Sequence, residues 1–270
     1  MLRRLYRIPA LLLLLFGGLA TVFTVFPFAA DRQREWCVAT WSRWLLRACG
    51  ARVIERVAEG AVPLSALRGT HGPQAGRLLL ANHVSWLDIF AIDSLAPASF
   101  AAKAEIASWP LVGTLVSRVG TVYVERGRRH AVHGVIQRMG EKLREGHRAA
   151  VFPEGTTSDG RRLLPFHGNL VQAALNAGAP MVPVGLRYVD PDGEPSHAAM
   201  FVGDTTFGAS LWRITGHPRL EVEVHVLPAI EPQAGITRQE AARRARAAIG
   251  ARLGLVLEDA VPEALRSLRA

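Results

Sequence analysis

Cysteine is nearly absent from this chain. Cys37 and Cys49 are the only two among 270 residues, and no CxxC pair occurs. Zinc sites built on cysteine need closely spaced pairs, and disulfide frameworks need at least two pairs of cysteines. We therefore expect neither a cysteine-based zinc site nor a disulfide scaffold, and the composition indicates a reducing compartment.

The sequence also lacks the motifs by which common cofactors and nucleophiles are recognised. None of GxGxxG, GxxxxGK(S/T), GxSxG or HExxH occurs. These patterns mark nucleotide-binding loops, the serine nucleophile elbow and the zinc site of metalloproteases. If the chain is an enzyme, we expect no bound cofactor, no metal ligands and no serine nucleophile.

Charge is missing from residues 8–30, which read IPALLLLLFGGLATVFTVFPFAA. As a helix this stretch is roughly 33 Å long, about the thickness of a hydrocarbon core. A cleaved signal peptide is disfavoured, because the run is long for one and a small-residue cleavage site is poorly formed. Gly17, Gly18 and Pro27 weaken the helix, so both a crossing and a segment that bends at the glycines and returns remain open. We expect residues 1–50 to anchor the chain to a membrane.

A second helix is predicted directly after the apolar stretch. One face of it carries Cys37, Trp41, Trp44, Leu45 and Ala48, and arginines occupy the other faces. Tryptophan and arginine on an amphipathic helix are typical of a segment that lies among lipid headgroups. The alternative is a helix that packs on the soluble domain, and the sequence leaves both open.

The formal net charge of +9 indicates an anionic partner, either nucleic acid or acidic lipid. A nucleic-acid-binding protein predicts a basic stripe with interleaved aromatic residues and no long apolar segment. The uncharged N-terminal stretch contradicts that pattern. We therefore expect membrane lipids as partners and no nucleic acid.

From residue 51 onward, short apolar runs alternate with helical stretches, which is typical of an α/β sheet covered by helices. Strands are predicted at residues 77–82, 99–102, 121–125, 149–152, 181–188 and 220–227. Helices are predicted at residues 85–95, 110–119, 129–145, 170–177 and 237–253. The last helix opens with Thr237 and Glu240 in capping-box spacing. Residues 51–270 are thus predicted to form one catalytic domain.

Polar residues interrupt the apolar stretch LLLANHVSWLDIFAI, residues 78–92. His83 follows a predicted strand, where ligand-binding groups collect in open α/β sheets. Asp88 has two interpretations. In one, it completes a capping box with Ser85 at the start of the next helix. In the other, its carboxylate folds back onto His83, fixes the imidazole tautomer and leaves the other ring nitrogen to act as a base.

Three further stretches decide between these interpretations. They are GTVYVERG at residues 120–127, VFPEGTTSDG at 151–160 and MVPVGL at 181–186. Together with Asn82, His83 and Asp88 they resemble, in order and spacing, the four motifs of the glycerolipid acyltransferases. The resemblance is closest to the 1-acyl-glycerol-3-phosphate acyltransferases of bacterial membranes, and it covers residues 77–188. One HxxxxD motif alone is weak, whereas the ordered set is specific.

The resemblance implies an α/β fold with a mostly parallel central sheet flanked by helices, as in glycerol-3-phosphate acyltransferase, preceded by the membrane-associated segment. It implies direct acyl transfer, in which His83, oriented by Asp88, deprotonates the free hydroxyl of a lysophospholipid. The acyl donor is then acyl-CoA or acyl carrier protein. Since such donors are cytoplasmic, we expect the catalytic domain on the cytoplasmic face of the inner membrane.

The resemblance also predicts which residues bind substrate. Arg126 matches the arginine of the second motif and would hold the acceptor's phosphate as a guanidinium fork. The remaining expected substrate-binding residues are Asn82, Lys103, Glu154, Gly155 and Thr156.

The third motif departs from the family pattern at Thr157, where arginine is common. Arg161 or Arg162 could supply the missing charge, or the acceptor differs. The stretch FPEGTTSDG followed by LLPF is similar to proteobacterial lyso-ornithine-lipid acyltransferases, so this acceptor is the alternative. A non-enzymatic alternative is an inactive lipid-binding protein, which predicts loss of His83, Asp88 and the motif residues. They are all present, which argues against it.

Overall fold

The computed structural model describes residues 2–72, 74–124 and 129–260 of the chain. Its strands are β1 (Ala51–Val57), β2 (Arg77–Ala81), β3 (Ser99–Lys103), β4 (Val122–Val124), β5 (Arg148–Val151), β6 (Arg162–Leu163), β7 (Met181–Val189), β8 (Leu220–Val226) and β9 (Val256–Leu257). Its helices are α1 (Leu2–Thr24), α2 (Asp31–Ala48), α3 (Leu64–Leu67), α4 (Leu87–Leu95), α5 (Val112–Arg118), α6 (Arg129–Arg144), α7 (Gln172–Ala177), α8 (Phe207–Gly216) and α9 (Arg238–Leu253), with a short 3₁₀ helix at Ala104–Ser108.

The central sheet has the strand order β1-β8-β7-β2-β5-β3-β4. The pairing is parallel everywhere except between β7 and β8. β6 and β9 form a separate two-stranded parallel sheet. The prediction of a mostly parallel sheet is therefore confirmed.

Helices cover both faces of this sheet, and the alternation of side chains along β2 shows how. Leu79 and Ala81 point into a core shared with α2, α4 and α8. Leu78 and Leu80 point into the opposite core, shared with α6, α7 and α9. A strand that is buried on both faces reads as a continuous apolar run, which explains the uninterrupted leucines of β2.

The predicted elements are present, and some boundaries move. The predicted helix at 85–95 begins only at Leu87, whereas Thr237 caps α9 as expected by accepting the backbone N–H of Glu240 at 3.2 Å. β1 and α8 were not predicted. β1 reads ARVIERV and lies at the sheet edge, where charged residues are tolerated and break the apolar pattern.

A bend at Gly17 and Gly18, one of the two arrangements that the sequence left open, is not present. α1 runs without interruption to Thr24, and the chain turns only afterwards, before α2. Gly18 serves packing instead: a Cβ there would lie 2.8 Å from the indole nitrogen of Trp41. That nitrogen donates to the carbonyl of Leu14 at 2.8 Å. The glycine thus admits a tryptophan from α2 against α1, and the helical hydrogen bonds continue through it.

α1 is long and apolar enough to cross a membrane by length and composition, yet it lies along the catalytic domain. Near its start, the buried Arg7 guanidinium donates to the carbonyls of Thr215, His217 and Pro218 at 2.6–3.1 Å. Near its end, Val22 packs with Leu115 of α5. Both ends of α1 therefore contact the same domain.

α2 packs on α4 through a face that only partly overlaps with the predicted one, since the two share Leu45. Its buried residues are Ala39, Ser42, Leu45 and Leu46, while Trp44, on the expected apolar face, is exposed. Glu35 and the fully buried Arg148 form an ion pair that joins α2 to the start of β5. The interpretation of this helix as one packed on the domain is thus correct, and it leaves Trp36 and Trp44 exposed.

Candidate active site

The predicted site residues Asn82, His83, Asp88 and Glu154 meet at the carboxyl end of the sheet. β2 ends at Ala81, which pairs with Val184 of β7, and Leu80 pairs with Val151 of β5. The loops that follow β2 and β5 therefore emerge side by side. One loop carries His83 and the other carries Glu154.

His83 contacts Asp88 as one of the two interpretations predicted. The Nδ1 of His83 lies 2.8 Å from Oδ2 of Asp88, and the carboxylate is completely buried. Because a carboxylate only accepts, Nδ1 carries the proton and Nε2 is left with its lone pair. A substrate hydroxyl that reaches Nε2 meets a base.

The helix-start interpretation of Asp88 also holds, because the same oxygen accepts from the backbone. Oδ2 accepts the N–H groups of Val84 at 2.7 Å and Ser85 at 3.0 Å. Ser85 itself does not cap α4, since its hydroxyl lies 3.4 Å from the N–H of Leu87. One carboxylate thus fixes both the imidazole and the loop that carries it.

The plane of the His83 ring is set by Phe152, the residue directly after β5. The two rings stack with centroids 3.9 Å apart and an interplanar angle of 11°. The His83 side chain is 20% exposed, so it is held on three sides and open to a substrate. The motif reasoning did not assign Phe152, although its place at the end of a buried strand was a usable signal.

Glu154 is buried and holds two loops together. Its Oε1 accepts the backbone N–H of His83 at 2.7 Å, and its Oε2 accepts that of Leu164 at 3.0 Å. Burial raises the pKa of Glu154 to about 8, against the lowering effect of these two hydrogen bonds. The side chain therefore fixes the backbone of His83.

Asn82 also bonds to backbone. Its Nδ2 donates to the carbonyl of Leu186 at 3.0 Å, and its Oδ1 accepts the N–H of the same residue at 2.7 Å. Both ends of the buried amide thus join the end of β2 to β7. This arrangement places His83, the next residue, at a fixed height above the sheet.

Gly155 and Thr156 follow Glu154 in the turn beside His83. Gly155 has φ +71°, a left-handed conformation that a residue with a Cβ adopts only under strain. Its N–H donates to the carbonyl of Phe152 at 3.0 Å, which tightens the turn. Thr156 is buried in this turn, next to the loop that carries the imidazole.

Of the two remaining predicted substrate-binding residues, Lys103 lies on the β3–β4 side of the sheet. Lys103 ends β3, is exposed, and pairs in register with Val124 of β4. Arg126 lies outside the described residues. Its contact with an acceptor phosphate stays a prediction.

Position 157 of the third-motif stretch, where arginine is common in the family, is occupied by a threonine. The hydroxyl of Thr157 donates to the carbonyl of Phe201. Arg162, one of the two suggested replacements for the missing arginine, forms an ion pair with Glu258 at 2.9 Å. Arg161 bonds to the ring of His197 at 2.8 Å.

The sequence reasoning also missed Tyr188. This buried residue of β7 donates its hydroxyl to Oδ1 of Asp88. Asp88 and Tyr188 are 100 positions apart in the chain, so no local pattern connects them.

Comparisons with known proteins show the family of this chain. A model of the acyltransferase family matches residues 65–187. A lyso-ornithine lipid O-acyltransferase of Pseudomonas aeruginosa is 38% identical over 206 residues, which cover 76% of this chain and 75% of that one. A 1-acyl-sn-glycerol-3-phosphate acyltransferase of Neisseria gonorrhoeae is 42% identical over 153 residues, which cover 55% and 58% of the two chains.

A solved structure shares the fold. It is the 1-acyl-sn-glycerophosphate acyltransferase of Thermotoga maritima, with a TM-score of 0.63 at 19% identity, and the match covers 93% of this chain and 96% of that one. The mostly parallel sheet flanked by helices and preceded by an apolar helix is therefore the fold of an acyltransferase. From these likenesses, the chain belongs to the glycerolipid acyltransferase family and is an enzyme of lipid biosynthesis.

Proposed function

We propose that His83 is the general base of this acyl transfer and that Asp88 orients it. The observation that carries the proposal is the 2.8 Å contact between Nδ1 and the buried carboxylate. Nε2 takes the proton of the acceptor's hydroxyl as its oxygen attacks the donor thioester. The new O–C bond forms, the C–S bond breaks, and the leaving thiolate takes the proton from the imidazolium. A base of this kind contributes about 10²–10⁴-fold.

Two residues of the expected substrate-binding set are better assigned to positioning. Asn82 and Glu154 are buried, and their polar atoms bond to the backbone of Leu186, His83 and Leu164. We assign them to holding the His83 loop on the sheet. Gly155, Thr156, Lys103 and Arg126 stay the proposed substrate-binding residues, with Arg126 directed at the acceptor phosphate.

The proposed acceptor is 1-acyl-sn-glycerol-3-phosphate, which would be converted to phosphatidic acid, and the donor is acyl-CoA or acyl carrier protein. A lyso-ornithine lipid is the second candidate acceptor. Two observations favour it: the hydroxyl of Thr157 is tied to Phe201 where a phosphate-directed arginine is common, and the relative of P. aeruginosa carries this activity in its name. An ornithine headgroup carries an amine and a carboxylate instead of a phosphate, so it needs fewer cations.

We further propose that the enzyme sits on the cytoplasmic face of the inner membrane, with α1 embedded in one leaflet. The outer face of α1 exposes large apolar side chains along its length, and these are Leu2, Leu5, Tyr6, Leu12, Leu13, Phe16 and Phe23. Its inner face packs on the domain, and its first turns are held there by Arg7. A helix clamped at both ends to a water-soluble domain fits immersion better than crossing.

A substrate panel tests the proposal. The purified enzyme is offered lysophosphatidic acid, lyso-ornithine lipid and a lysophospholipid with a zwitterionic headgroup, each with acyl-CoA and with acyl carrier protein. We expect a diacyl product from one of the first two. If neither acceptor is acylated with either donor, the proposed acceptors are wrong. If the His83→Ala enzyme forms product at the wild-type rate, the proposed base is wrong.

A further inference from the structure

Tyr188 is buried in the core layer that α2, α4 and α8 form with the sheet. It lies on β7, where its backbone pairs with Val222 of β8, and its hydroxyl donates to Oδ1 of Asp88. Burial, followed by the charge of Asp88, raises the pKa of Tyr188 well above its usual value. The phenol therefore stays neutral and keeps its proton as a donor.

The two carboxylate oxygens of Asp88 have different hydrogen-bond partners. Oδ2 accepts from Nδ1 of His83 and from the N–H groups of Val84 and Ser85. Oδ1 points the other way and meets Tyr188. A carboxylate bound through one oxygen can still rotate about its terminal torsion, which is broad. A donor on the second oxygen fixes that rotation and shares the buried negative charge.

We propose that Tyr188 is a positioning residue of the acyl transfer, which holds Asp88 so that Oδ2 keeps the Nδ1 proton of His83. The inference rests on the proposed roles of His83 and Asp88. It adds a third member to the pair, two residues beyond the motif stretch MVPVGL on the same strand, and it makes the end of β7 part of the catalytic support.

The proposal predicts a shift of the pH profile. Without the phenol, more of the Asp88 charge is directed at His83, which favours the imidazolium. The base is then protonated at higher pH, so the acidic limb of kcat/KM moves upward. The other titratable groups near this pair are Glu154, from the loop after β5, and Cys49, at the end of α2. Both are the same in wild type and variant.

The experiment compares Tyr188→Phe with Tyr123→Phe. Each change removes one bonded hydroxyl and keeps the ring, and the Tyr123 hydroxyl bonds to Ser117, away from His83. We expect Tyr188→Phe to lower kcat about tenfold, the loss of one hydrogen bond to a charged group. The KM values for both substrates should stay unchanged, and the acidic limb should rise. Tyr123→Phe should match wild type.

A double-mutant cycle separates positioning from general structural support. If Tyr188 acts through Asp88, removing its hydroxyl has no further effect on kcat in an Asp88→Asn enzyme. Equal losses in both backgrounds would assign the residue to structure alone and overturn the proposal. An inactive His83→Ala enzyme beside a fully active Tyr188→Phe enzyme would also overturn it, while leaving the base intact. An active His83→Ala enzyme would overturn both.

A second variant covers the case in which Tyr188→Phe does not fold. Replacing Tyr188 by 3-fluorotyrosine keeps the hydroxyl and nearly the same shape, and makes the phenol a stronger donor. It takes more of the Asp88 charge, so we expect the acidic limb to move to lower pH. An unchanged limb in this folded enzyme would contradict the proposal.

Discussion

A buried carboxylate needs donors, and Asp88 has four of them. The backbone of Val84 and Ser85, the ring of His83 and the hydroxyl of Tyr188 surround it. The sequence left two interpretations of Asp88 open: a carboxylate at the start of a helix, or the carboxylate that orients His83. Both interpretations hold in the structure, because the loop that carries His83 also leads into α4, and Asp88 accepts hydrogen bonds from the imidazole and from the backbone of this loop.

Replacing His83 by Ala should lower kcat by about 10²–10⁴-fold, since the general base is lost. Asp88→Asn should also lower kcat, because its amide can donate to Nδ1 and so favours the wrong tautomer. Turnover is measured with saturating donor and acceptor in detergent micelles. His147→Ala, at the opposite end of β5, is the matched control and should behave as wild type. A His83→Ala enzyme with normal turnover would exclude the base.

Glu154→Gln should lower kcat about tenfold. Its amide nitrogen would oppose the N–H of His83 or of Leu164, so one of the two backbone contacts is lost. The loop that carries the base is then less fixed. Glu141→Gln, on the exposed side of α6, controls for the loss of a carboxylate, and similar losses in the two variants would contradict the positioning role.

The raised pKa of Glu154 also predicts how stability changes with pH. Between its usual value of 4.5 and about 8, the folded protein binds a proton here that the unfolded chain does not. This group's contribution to the free energy of unfolding therefore falls as pH rises through that window. We expect wild type to lose more thermal stability from pH 5 to pH 8 than Glu154→Gln does. Parallel melting curves for the two proteins would show that burial does not perturb this carboxyl.

Arg126→Ala should raise the KM for a phosphate-bearing acceptor more than the KM for the donor. A bidentate charge-assisted pair contributes roughly 1.5–3 kcal/mol, or about tenfold or more in binding. The measurement is a pair of saturation curves, one for each substrate. Arg162→Ala, whose side chain pairs with Glu258, is the control. Equal effects on donor and acceptor would remove Arg126 from the acceptor site.

At the scale of elements, local periodicity predicted the buried strands and the α/β class of the sheet, because short apolar runs such as β2 that alternate with helical stretches are typical of strands covered on both faces. It could not predict which strands are neighbours. Asn82 meets Leu186 across 104 positions, and that contact depends on the register of β2 against β7. For the same reason, the sequence could not predict the positioning roles of Asn82 and Tyr188. It could predict the contact of His83 with Asp88, because these residues are only five positions apart.

Arg7→Ala should loosen the start of α1. Its guanidinium fills the space over Gly50 and satisfies carbonyls at the end of α8, and its loss leaves those acceptors buried. We expect the free energy of unfolding to fall by about 2–3 kcal/mol. Arg3→Ala, which is exposed on the same helix, should have little effect. Chemical unfolding in detergent measures both, and an equal response would show that Arg7 is not a clamp.

At the scale of the whole molecule, the N-terminal helices α1 and α2 are part of the domain as well as its proposed anchor. α2 supplies Leu45 and Leu46 to the core, so deletion of residues 1–50 would damage the fold and cannot test membrane binding cleanly. Substitution of the exposed face of α1 can. We expect Leu5→Gln, Leu13→Gln and Phe16→Gln together to move part of the protein to the soluble fraction and to lower activity on acceptor in bilayers.

The control for this surface carries three similar substitutions elsewhere. Val62, Val256 and Leu257 are also exposed apolar residues, but they lie outside α1 and α2. Their replacement by glutamine should leave the enzyme with the membranes. If both triple variants are released equally, or neither is, the outer face of α1 does not hold the enzyme to the lipid.

The proposed mechanism requires the catalytic domain to face the cytoplasm at the membrane surface. The thioester donors are cytoplasmic, whereas a lysolipid keeps its acyl chain in the bilayer. If α1 is immersed in one leaflet as proposed, with both ends held by one domain, we expect the whole chain on one side of the membrane, and positive charge on both flanks of the apolar stretch agrees with that. A single cysteine at Arg161, in a Cys37→Ala, Cys49→Ala background, reports on the catalytic side. It should stay unreactive to a membrane-impermeant maleimide in intact cells and react once the inner membrane is permeabilised. Labelling in intact cells would place the catalytic domain on the face where no acyl donor is available.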